Sequence, residues 1–215
     1  MIVLYLLRHG QTYLNVMNDV IGGRSSDLPL TSYGIEQAVA TGKAIRDSGM
    51  MFDKIFCSTA FRARQTLDAM GLITDSAANA VVYSNRLEEL SQGAWEGKLR
   101  TEIYTPEIRH RLECENPFFC PPGGESQHDV EIRMTDFIEQ EILNRYEKGE
   151  FLIVGHGVAF KCFLRGVLGS CASMTHKLGM DNLGMTRLTY SGGMGWTLDW
   201  MNRHMATMQL SVAVK

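Results

Sequence analysis

The sequence lacks several features that would place its 215 residues in a specialised class of protein. No apolar run is long enough to span a membrane. The net charge of −3 and the isoelectric point near 6.1 provide no overall attraction to nucleic acid or to an acidic membrane. The opening stretch MIVLYLL has neither a basic leader nor a small-residue cleavage site, so we expect no signal peptide. These absences favour a soluble globular protein in which any positively charged site is local.

Cofactor motifs are missing as well. The five cysteines are odd in number and include no Cys-x-x-Cys pair, which argues against a disulfide framework or a zinc site and favours the reducing cytoplasm. There is no His-Glu-x-x-His motif, no aspartate cluster and no Gly-Lys-Ser/Thr loop, and the stretch GHGVAF lacks the third glycine of a dinucleotide-binding turn. We therefore expect neither a metal nor an organic cofactor.

Short apolar runs alternate with longer helical patterns along most of the chain. The predicted strands are residues 2–7, 54–57, 80–84 and 150–156, with a hairpin over 184–200, and the predicted helices are 32–48, 60–70, 105–114, 126–148 and 157–169. Continuously apolar strands that alternate with helices predict an α/β fold, here a three-layer α/β/α sandwich with a mostly parallel sheet. We expect residues 1–215 to form one domain, with a lid at about 100–125.

Two of the predicted strands end in the same chemistry. The stretch LLRHG leads to His9 and the stretch LIVGHG leads to His156, so each strand ends in a histidine followed by glycine. Ligands of open α/β sheets bind at the carboxyl ends of the strands. If the two strands are neighbours, the two imidazoles lie side by side, next to Arg8. The strand at 54–57 leads into a helix whose first turn carries Arg62, which brings a second arginine to this edge.

These four side chains predict a pocket for a dianion such as phosphate. Guanidinium groups offer paired donors that match phosphate oxygens. The glycines after the two histidines, Gly10 and Gly157, let backbone amides approach the same anion, and the N-termini of the following helices add a positive field. Without an anion, burying two arginines and two histidines together would cost several kcal/mol in repulsion and desolvation.

A family resemblance supports this interpretation. The stretches LLRHGQTYLN, DLPLTSYGIEQA, CSTAFRARQT, LEELSQGAWEG, PPGGES and VGHG resemble, in order, the motifs of the histidine phosphatase superfamily, also called the phosphoglycerate mutase-like family. The resemblance extends over roughly residues 2 to 188, and the six quoted stretches lie between Leu6 and Gly157. An Arg-His-Gly alone is a weak signal, but six ordered matches are strong.

The resemblance implies a role for each residue of the predicted pocket. His9 matches the nucleophile that attacks phosphorus and carries a phosphohistidine. Arg8 and Arg62 match the arginines that hold the phosphoryl oxygens, and His156 matches the second histidine, which binds the same group. Asn15 matches a polar phosphate contact at the mouth of the site.

The general acid is one of two adjacent glutamates, Glu88 and Glu89. The family pattern places the acid four residues before the glycine that is Gly93 here, which selects Glu89. Alternation along an extended segment also turns Glu88 to the opposite face. The acid protonates the leaving alkoxide and then activates water against the phosphohistidine. His9, His156 and Glu89 would also suit a two-histidine, one-carboxylate metal site, but flanking arginines repel a divalent cation.

The family contains both phosphatases and mutases. Glycolytic mutases of the family resemble one another in a Glu-Arg-x-Tyr-Gly pattern after the acid, whereas this sequence reads ELSQG from Glu89. The basic lid of those mutases is also poorly matched, with Arg109 and Arg111 as the arginines of residues 101–122. We therefore predict a phosphomonoester hydrolase for a small phosphorylated metabolite. The alternatives are a cofactor-dependent phosphoglycerate mutase and a non-catalytic protein that binds phosphorylated ligands.

The sequence leaves the substrate and the oligomeric state open. The predicted lid selects the substrate, and it carries Phe118 and Phe119, which are either core residues or the floor of an apolar subsite. We assign the remaining histidines to the surface or to structural roles: His110, His128, His176 and His204.

Overall fold

Six strands form one sheet in a computed structural model that describes residues 1–17, 19–73 and 81–206. The strands are β1 (Ile2–Arg8), β2 (Lys54–Ser58), β3 (Val82–Ser84), β4 (Gly149–Gly155), β5 (Met185–Ser191) and β6 (Gly195–Arg203). Their order across the sheet is β3-β2-β4-β1-β5-β6. Strands β1 to β4 pair in parallel, and β5 and β6 are antiparallel, so the predicted mostly parallel sheet is confirmed.

The helices cover both faces of this sheet. They are α1 (Tyr13–Val16), α2 (Ser32–Asp47), α3 (Phe61–Met70), α4 (Arg100–Ile103), α5 (Pro106–Glu115), α6 (Gln127–Ile138) and α7 (Gly157–Val167). Leu4 and Leu6 of β1 pack with α6 and α7, whereas Val3 and Leu7 pack with α2 and α3. Side chains of a strand alternate between its faces, and both faces of β1 are buried, so the strand is apolar throughout. The three-layer α/β/α sandwich is confirmed.

The pairing of the two central strands positions the two histidines. Arg8 lies opposite Gly155 in the parallel register of β1 and β4. The N–H of His9 donates to the carbonyl oxygen of Gly155 at 3.0 Å, which extends the pairing by one residue. Parallel strands end at the same edge of a sheet, and therefore His9 and His156 leave the sheet together.

Most predicted element boundaries hold to within two residues. Thr31 caps α2 by accepting from the N–H of Gly34, and Gly71 ends α3 in the left-handed region at φ +59°. Ala80, the first residue of the third predicted strand, lies outside the described residues, as do residues 207–215 of the methionine-rich tail. No helix in the described ranges is long and apolar enough to cross a bilayer.

The helix predicted at 126–148 is shorter than expected. Helix α6 ends at Ile138 and continues as a π-helical turn over Glu139–Leu143, and residues 144–148 are not helical. The prediction was wrong at this end because β4 begins pairing with β1 at Gly149. The chain needs the preceding residues to turn from the helical layer into the sheet.

Helices α2 and α3 pack closely at Gly42. A Cβ atom at this position would overlap the backbone carbonyl oxygen of Met70. The guanidinium of Arg46 donates to the same carbonyl and therefore ties the end of α3 to α2. This packing matters for the site because α3 carries Arg62 in its first turn.

We expect the substitution Gly42→Ala to lower the free energy of unfolding. Alanine gains about 1 kcal/mol of helix propensity over glycine, but overpacking a close contact costs about 3 kcal/mol, so the steric effect wins. Urea denaturation of the purified variant measures the difference. The matched control is Gly192→Ala, where an added Cβ meets no described atom within 4 Å. Equal stability of the two variants would contradict the packing argument.

Candidate active site

The site lies where β1, β4 and α3 meet at one edge of the sheet. The imidazole rings of His9 and His156 are both buried, with ring centroids 5.1 Å apart. Arg62 donates from Nε to Nε2 of His9 at 3.3 Å. Arg8, at the end of β1, donates to the carbonyl oxygen of Met180 at 2.6 Å. The structure thus brings together the two histidines and two arginines that the sequence predicted as neighbours.

The hydrogen bonds of His9 fix its tautomer. Its Nδ1 lies 2.7 Å from the carbonyl oxygen of Gly10, and since a carbonyl oxygen only accepts, Nδ1 carries the proton. Nε2 accepts from Arg62 and therefore presents a lone pair. A neutral imidazole with its lone pair on Nε2 is the form that attacks an electrophile.

Both buried histidines are held in the neutral form. Burial, followed by the charges of Arg62 and Arg8, holds the pKa of His9 well below its usual value. Burial and the charge of Arg62 also hold the pKa of His156 well below its usual value. Burial penalises the charged form of an imidazole, and nearby guanidinium groups add repulsion. His9 is therefore unprotonated at neutral pH without help from a separate base.

Two buried nitrogen atoms beside His9 have no protein acceptor among the described residues. They are Nε of Arg8 and Nδ1 of His156. Nε2 of His156 lies 2.8 Å from Oγ of Ser58, which itself accepts from the N–H of Ala60. With the Ser58 hydroxyl donating to Nε2, the imidazole proton lies on Nδ1. An unsatisfied buried donor costs about 1–3 kcal/mol, so this donor set fits an oxyanion.

Arg62 is anchored by the loop that precedes α2. Its NH1 group donates to the carbonyl oxygens of Arg24 and Ser25 at 2.7 and 2.9 Å. These contacts leave Nε directed at His9. The loop is itself held by Glu96, which accepts from the backbone N–H groups of Arg24 and Ser25 at 3.1 Å each. The family motif at Arg62 gave no indication of this support.

The adjacent glutamates diverge, as the alternation predicts. Glu89 accepts from the N–H groups of Val158 and Ala159 at 3.0 and 2.9 Å, at the N-terminus of α7, and it lines the cavity above His9. Glu88 instead accepts from Thr59 at 2.8 Å and pairs with Arg24 at 3.6 Å. Glu89 is therefore the carboxylate that can reach a leaving group.

Asn15 is held by a residue that the sequence analysis missed. Its Oδ1 accepts from the backbone N–H of Thr12 at 2.9 Å and from Nδ2 of Asn182 at 3.2 Å, which leaves its NH₂ group to donate toward the cavity. Asn182 also donates to the carbonyl oxygen of His9 at 2.9 Å. It lies in no motif quoted above, and only the fold brings it to the site.

A cavity of about 350 Å³ opens above these residues. Its walls include five predicted site residues: Arg8, His9, Asn15, Arg62 and Glu89. His156 lies behind His9, and Gly157 lies against Arg8, where an added Cβ would be 3.3 Å from Nε. His176, assigned above to the surface or to a structural role, is exposed and also forms part of the cavity wall. In the described ranges no group of three histidine, cysteine or acidic residues is placed to hold a metal ion.

The match to a family model identifies the class of protein that this fold and site define. The model of the histidine phosphatase superfamily (branch 1) matches residues 4–204. The chain therefore belongs to the histidine phosphatase superfamily, and the resemblance inferred from the motifs is confirmed.

Individual relatives include both phosphatases and a mutase-like protein. The chain is 35% identical over 158 residues to mouse fructose-2,6-bisphosphatase TIGAR, a match that covers 71% of this chain and 56% of that protein. It is 30% identical over 205 residues to a probable phosphoglycerate mutase, GpmB, of Proteus mirabilis, with 93% and 92% covered. It superimposes on phosphoserine phosphatase of Entamoeba histolytica in complex with 3-phosphoglyceric acid with a TM-score of 0.81 at 25% identity, covering 96% and 99%.

The neutral histidines predict a particular dependence of stability on pH. Below pH 6.5 the unfolded chain protonates both histidines, whereas the folded chain does not, so the free energy of unfolding falls as the pH falls. Each buried histidine contributes up to about 1.4 kcal/mol per pH unit in this range. We expect His9→Asn to reduce this slope, as measured by denaturant unfolding at several pH values down to about 4.5.

The same experiment contains its own control. Between pH 7 and 8 an ordinary histidine is already neutral in the unfolded chain, so the wild type and His9→Asn should show parallel pH dependence there. An unchanged slope in the variant below pH 6.5 would mean that His9 is charged in the folded protein.

Proposed function

We propose that the protein hydrolyses phosphomonoesters through a phosphohistidine at Nε2 of His9. The observation that carries this proposal is the buried, neutral His9, whose unprotonated Nε2 faces a cavity lined by Arg8 and Arg62. The related phosphatases support the same class of reaction.

In the first step, Nε2 of His9 attacks phosphorus. The new P–N bond forms as the P–O bond to the alcohol breaks, and the leaving alkoxide takes a proton from Glu89. The hydrogen bond from Nδ1 to Gly10 stabilises the positive charge that develops on the imidazole. In the second step, Glu89 removes a proton from water, the water oxygen attacks phosphorus, and phosphate departs as the P–N bond breaks.

The remaining charged groups stabilise the transferring phosphoryl group. Arg62, held through NH1 by loop carbonyls, and Nε of Arg8 supply donors for this group, and the hydrogen bond from Nε of Arg62 to Nε2 of His9 breaks as that nitrogen attacks phosphorus. Nδ1 of His156, which has no partner among the described residues, is a further donor in this proposal. Removal of one such preorganised donor typically costs about 10²- to 10³-fold in rate. Asn15 provides a further donor at the mouth of the cavity.

The lid segment favours hydrolysis over phosphoglycerate mutase activity. Within the proposed lid at 100–125, the guanidinium of Arg109 donates to the carbonyl oxygen of Tyr104 at 2.9 Å, and Arg111 pairs with Glu115 at 2.7 Å. Both of these arginines are therefore engaged within the lid itself, and Arg100, the third arginine of the segment, lines the cavity. The second candidate remains a mutase, which the relative from Proteus mirabilis favours. Interconversion of 2- and 3-phosphoglycerate stimulated by the bisphosphate would identify it.

Two further features of the proposal concern domain organisation and compartment. We propose that the chain forms one domain, because the two apolar cores share the central strand β1.

We also propose that it acts in the cytoplasm, because its five cysteines are unpaired, as a reducing compartment requires. Its substrate there is a small phosphorylated metabolite.

We expect His9→Ala to abolish the release of p-nitrophenol from its phosphate ester. Removal of a covalent nucleophile leaves only the binding groups, so the rate should fall by about 10³-fold or more. Thermal melting verifies that the variant is folded. The wild-type rate should be insensitive to EDTA, since no step uses a metal. A wild type no faster than His9→Ala would instead support a non-catalytic phosphate-binding protein.

We expect Glu89→Gln to affect the two steps of the reaction, transfer of the phosphoryl group to His9 and hydrolysis of the phosphohistidine, in a way that depends on the leaving group. Alkyl phosphates need a protonated leaving group, so kcat/KM for them should fall by about 10²- to 10⁴-fold. Nitrophenolate leaves without protonation, so p-nitrophenyl phosphate should give a burst of p-nitrophenol followed by slow turnover. Stopped-flow absorbance measures both phases.

The matched control for this prediction is Glu88→Gln, the same change one residue earlier. Glu88 is directed at Thr59 and Arg24, and so the variant should retain the ratio of alkyl to nitrophenyl hydrolysis of the wild type. If Glu88→Gln gives the burst and Glu89→Gln does not, the assignment of the acid is wrong.

A further inference from the structure

A second cavity of about 270 Å³ adjoins the phosphate site. The two cavities are neighbours, because six residues line both: Leu90, Gln92, Arg100, Tyr104, Val158 and His176. We refer to the two spaces as the phosphate chamber and the side chamber. A ligand in the phosphate chamber that extends past these shared residues reaches the side chamber.

The side chamber is walled largely by aromatic and aliphatic side chains. Trp95 and Phe119 are buried, and their rings lie 5.6 Å apart at an interplanar angle of 33°. Tyr104 meets Trp95 edge-on, with ring centroids 6.1 Å apart. Leu112 of α5 lines the same space. Flat aromatic walls at such angles favour a planar or bulky apolar group.

The described residues that line the side chamber carry one carboxylate, Glu125, and one guanidinium, Arg100. Glu125 is part of the wall, and its carboxylate is held by Arg133 at 2.9 Å and Arg24 at 3.0 Å. Burial alone would raise the pKa of Glu125, but hydrogen bonds from Arg133 and from the N–H of Ser91 hold it below its usual value. Of the described residues that line this chamber, Arg100 alone is permanently cationic, and its guanidinium lies 5.9 Å from the Tyr104 ring centroid.

The position of the acid shows which part of a substrate enters the side chamber. Glu89 protonates the leaving oxygen, so that oxygen must lie beside it. Glu89 is bonded to the N–H of Val158 and is followed by Leu90, and both of these neighbours form part of the wall of the side chamber. The carbon skeleton attached to the leaving oxygen can therefore enter the side chamber past Leu90 and Val158, which line both chambers.

We infer that the substrates are monophosphate esters of alcohols that carry an aromatic or similarly bulky apolar group. This inference rests on the proposed function for its chemistry, but the apolar chamber is a binding feature that can be tested without turnover. It distinguishes this protein from one built for sugar bisphosphates or phosphoglycerate, whose second anionic group would find Arg100 as the one guanidinium among the described residues that line the chamber.

The test compares ligands that share one leaving group. Propyl phosphate and 3-phenylpropyl phosphate both release a primary alkoxide, so a difference in kcat/KM reports on the phenyl group and not on leaving-group acidity. Burial of a phenyl ring in the side chamber should raise kcat/KM by roughly 10- to 100-fold. Propane-1,3-diyl bisphosphate should be no better than propyl phosphate. The corresponding phosphonates, which cannot be hydrolysed, should show a similar ratio in Kd by calorimetry.

Two substitutions at Leu112 test the location. Leu112→Trp should fill the side chamber and reduce the preference for 3-phenylpropyl over propyl phosphate, measured as the ratio of kcat/KM, about tenfold or more. Leu112→Ala should enlarge the chamber, so that the variant binds 3-naphthylpropyl phosphonate more tightly than 3-phenylpropyl phosphonate. The control is Glu113→Trp, which introduces the same residue at the next, exposed position of α5 and should keep the wild-type preference. Thermal melting identifies any variant that fails to fold. If one of the two Leu112 variants does not fold, the other is used for the test.

The outcomes separate this inference from the proposed function. Absence of hydrolysis with a retained phenylpropyl preference in Kd would overturn the proposed function and support the side chamber. Hydrolysis of both esters with equal kcat/KM, and equal Kd for both phosphonates, would overturn the inference alone. Tighter binding of the bisphosphate than of the phenylpropyl ester, or a preference unaffected by Leu112→Trp, would also overturn it.

Discussion

The parallel pairing of β1 with β4 places two neutral histidines at one point on the edge of the sheet, and every other part of the site depends on that register. A shift of one residue in either strand would turn one imidazole to the opposite face of the sheet. The apolar residues of β1 are buried between two helical layers, so the register is strongly specified by the core. The stability of the sheet therefore maintains a cluster of groups that would otherwise repel one another.

This cluster shows how burial produces reactivity. His9 and His156 lose their charge because water is excluded and two guanidinium groups are close, and the loss of charge leaves Nε2 of His9 with a lone pair. The same arginines that depress its pKa are placed to bind the incoming anion. In the proposed mechanism, desolvation, normally a cost, thus prepares both the nucleophile and the anion site.

The sequence was sufficient to predict most strand and helix boundaries and the side chains that meet at the edge of the sheet, because continuous apolar runs and short motifs are local signals. It failed for α6, whose end is set by the point at which β4 must begin pairing. It also failed for Asn182 and for the wall position of His176, because nothing local marks them and only tertiary contacts bring them to the cavity. Phe119, left open between core and subsite, is both: it is buried, and it walls the side chamber.

The most direct test of the account is the chemical identity of the phosphorylated intermediate. Rapid quenching of the enzyme with an alkyl phosphate, followed by mass spectrometry of intact protein and peptides, should locate one phosphoryl group on His9, stable in base and labile in acid. Turnover without that group, or with the phosphoryl group on another residue, would contradict the central claim that the buried imidazole accepts phosphorus.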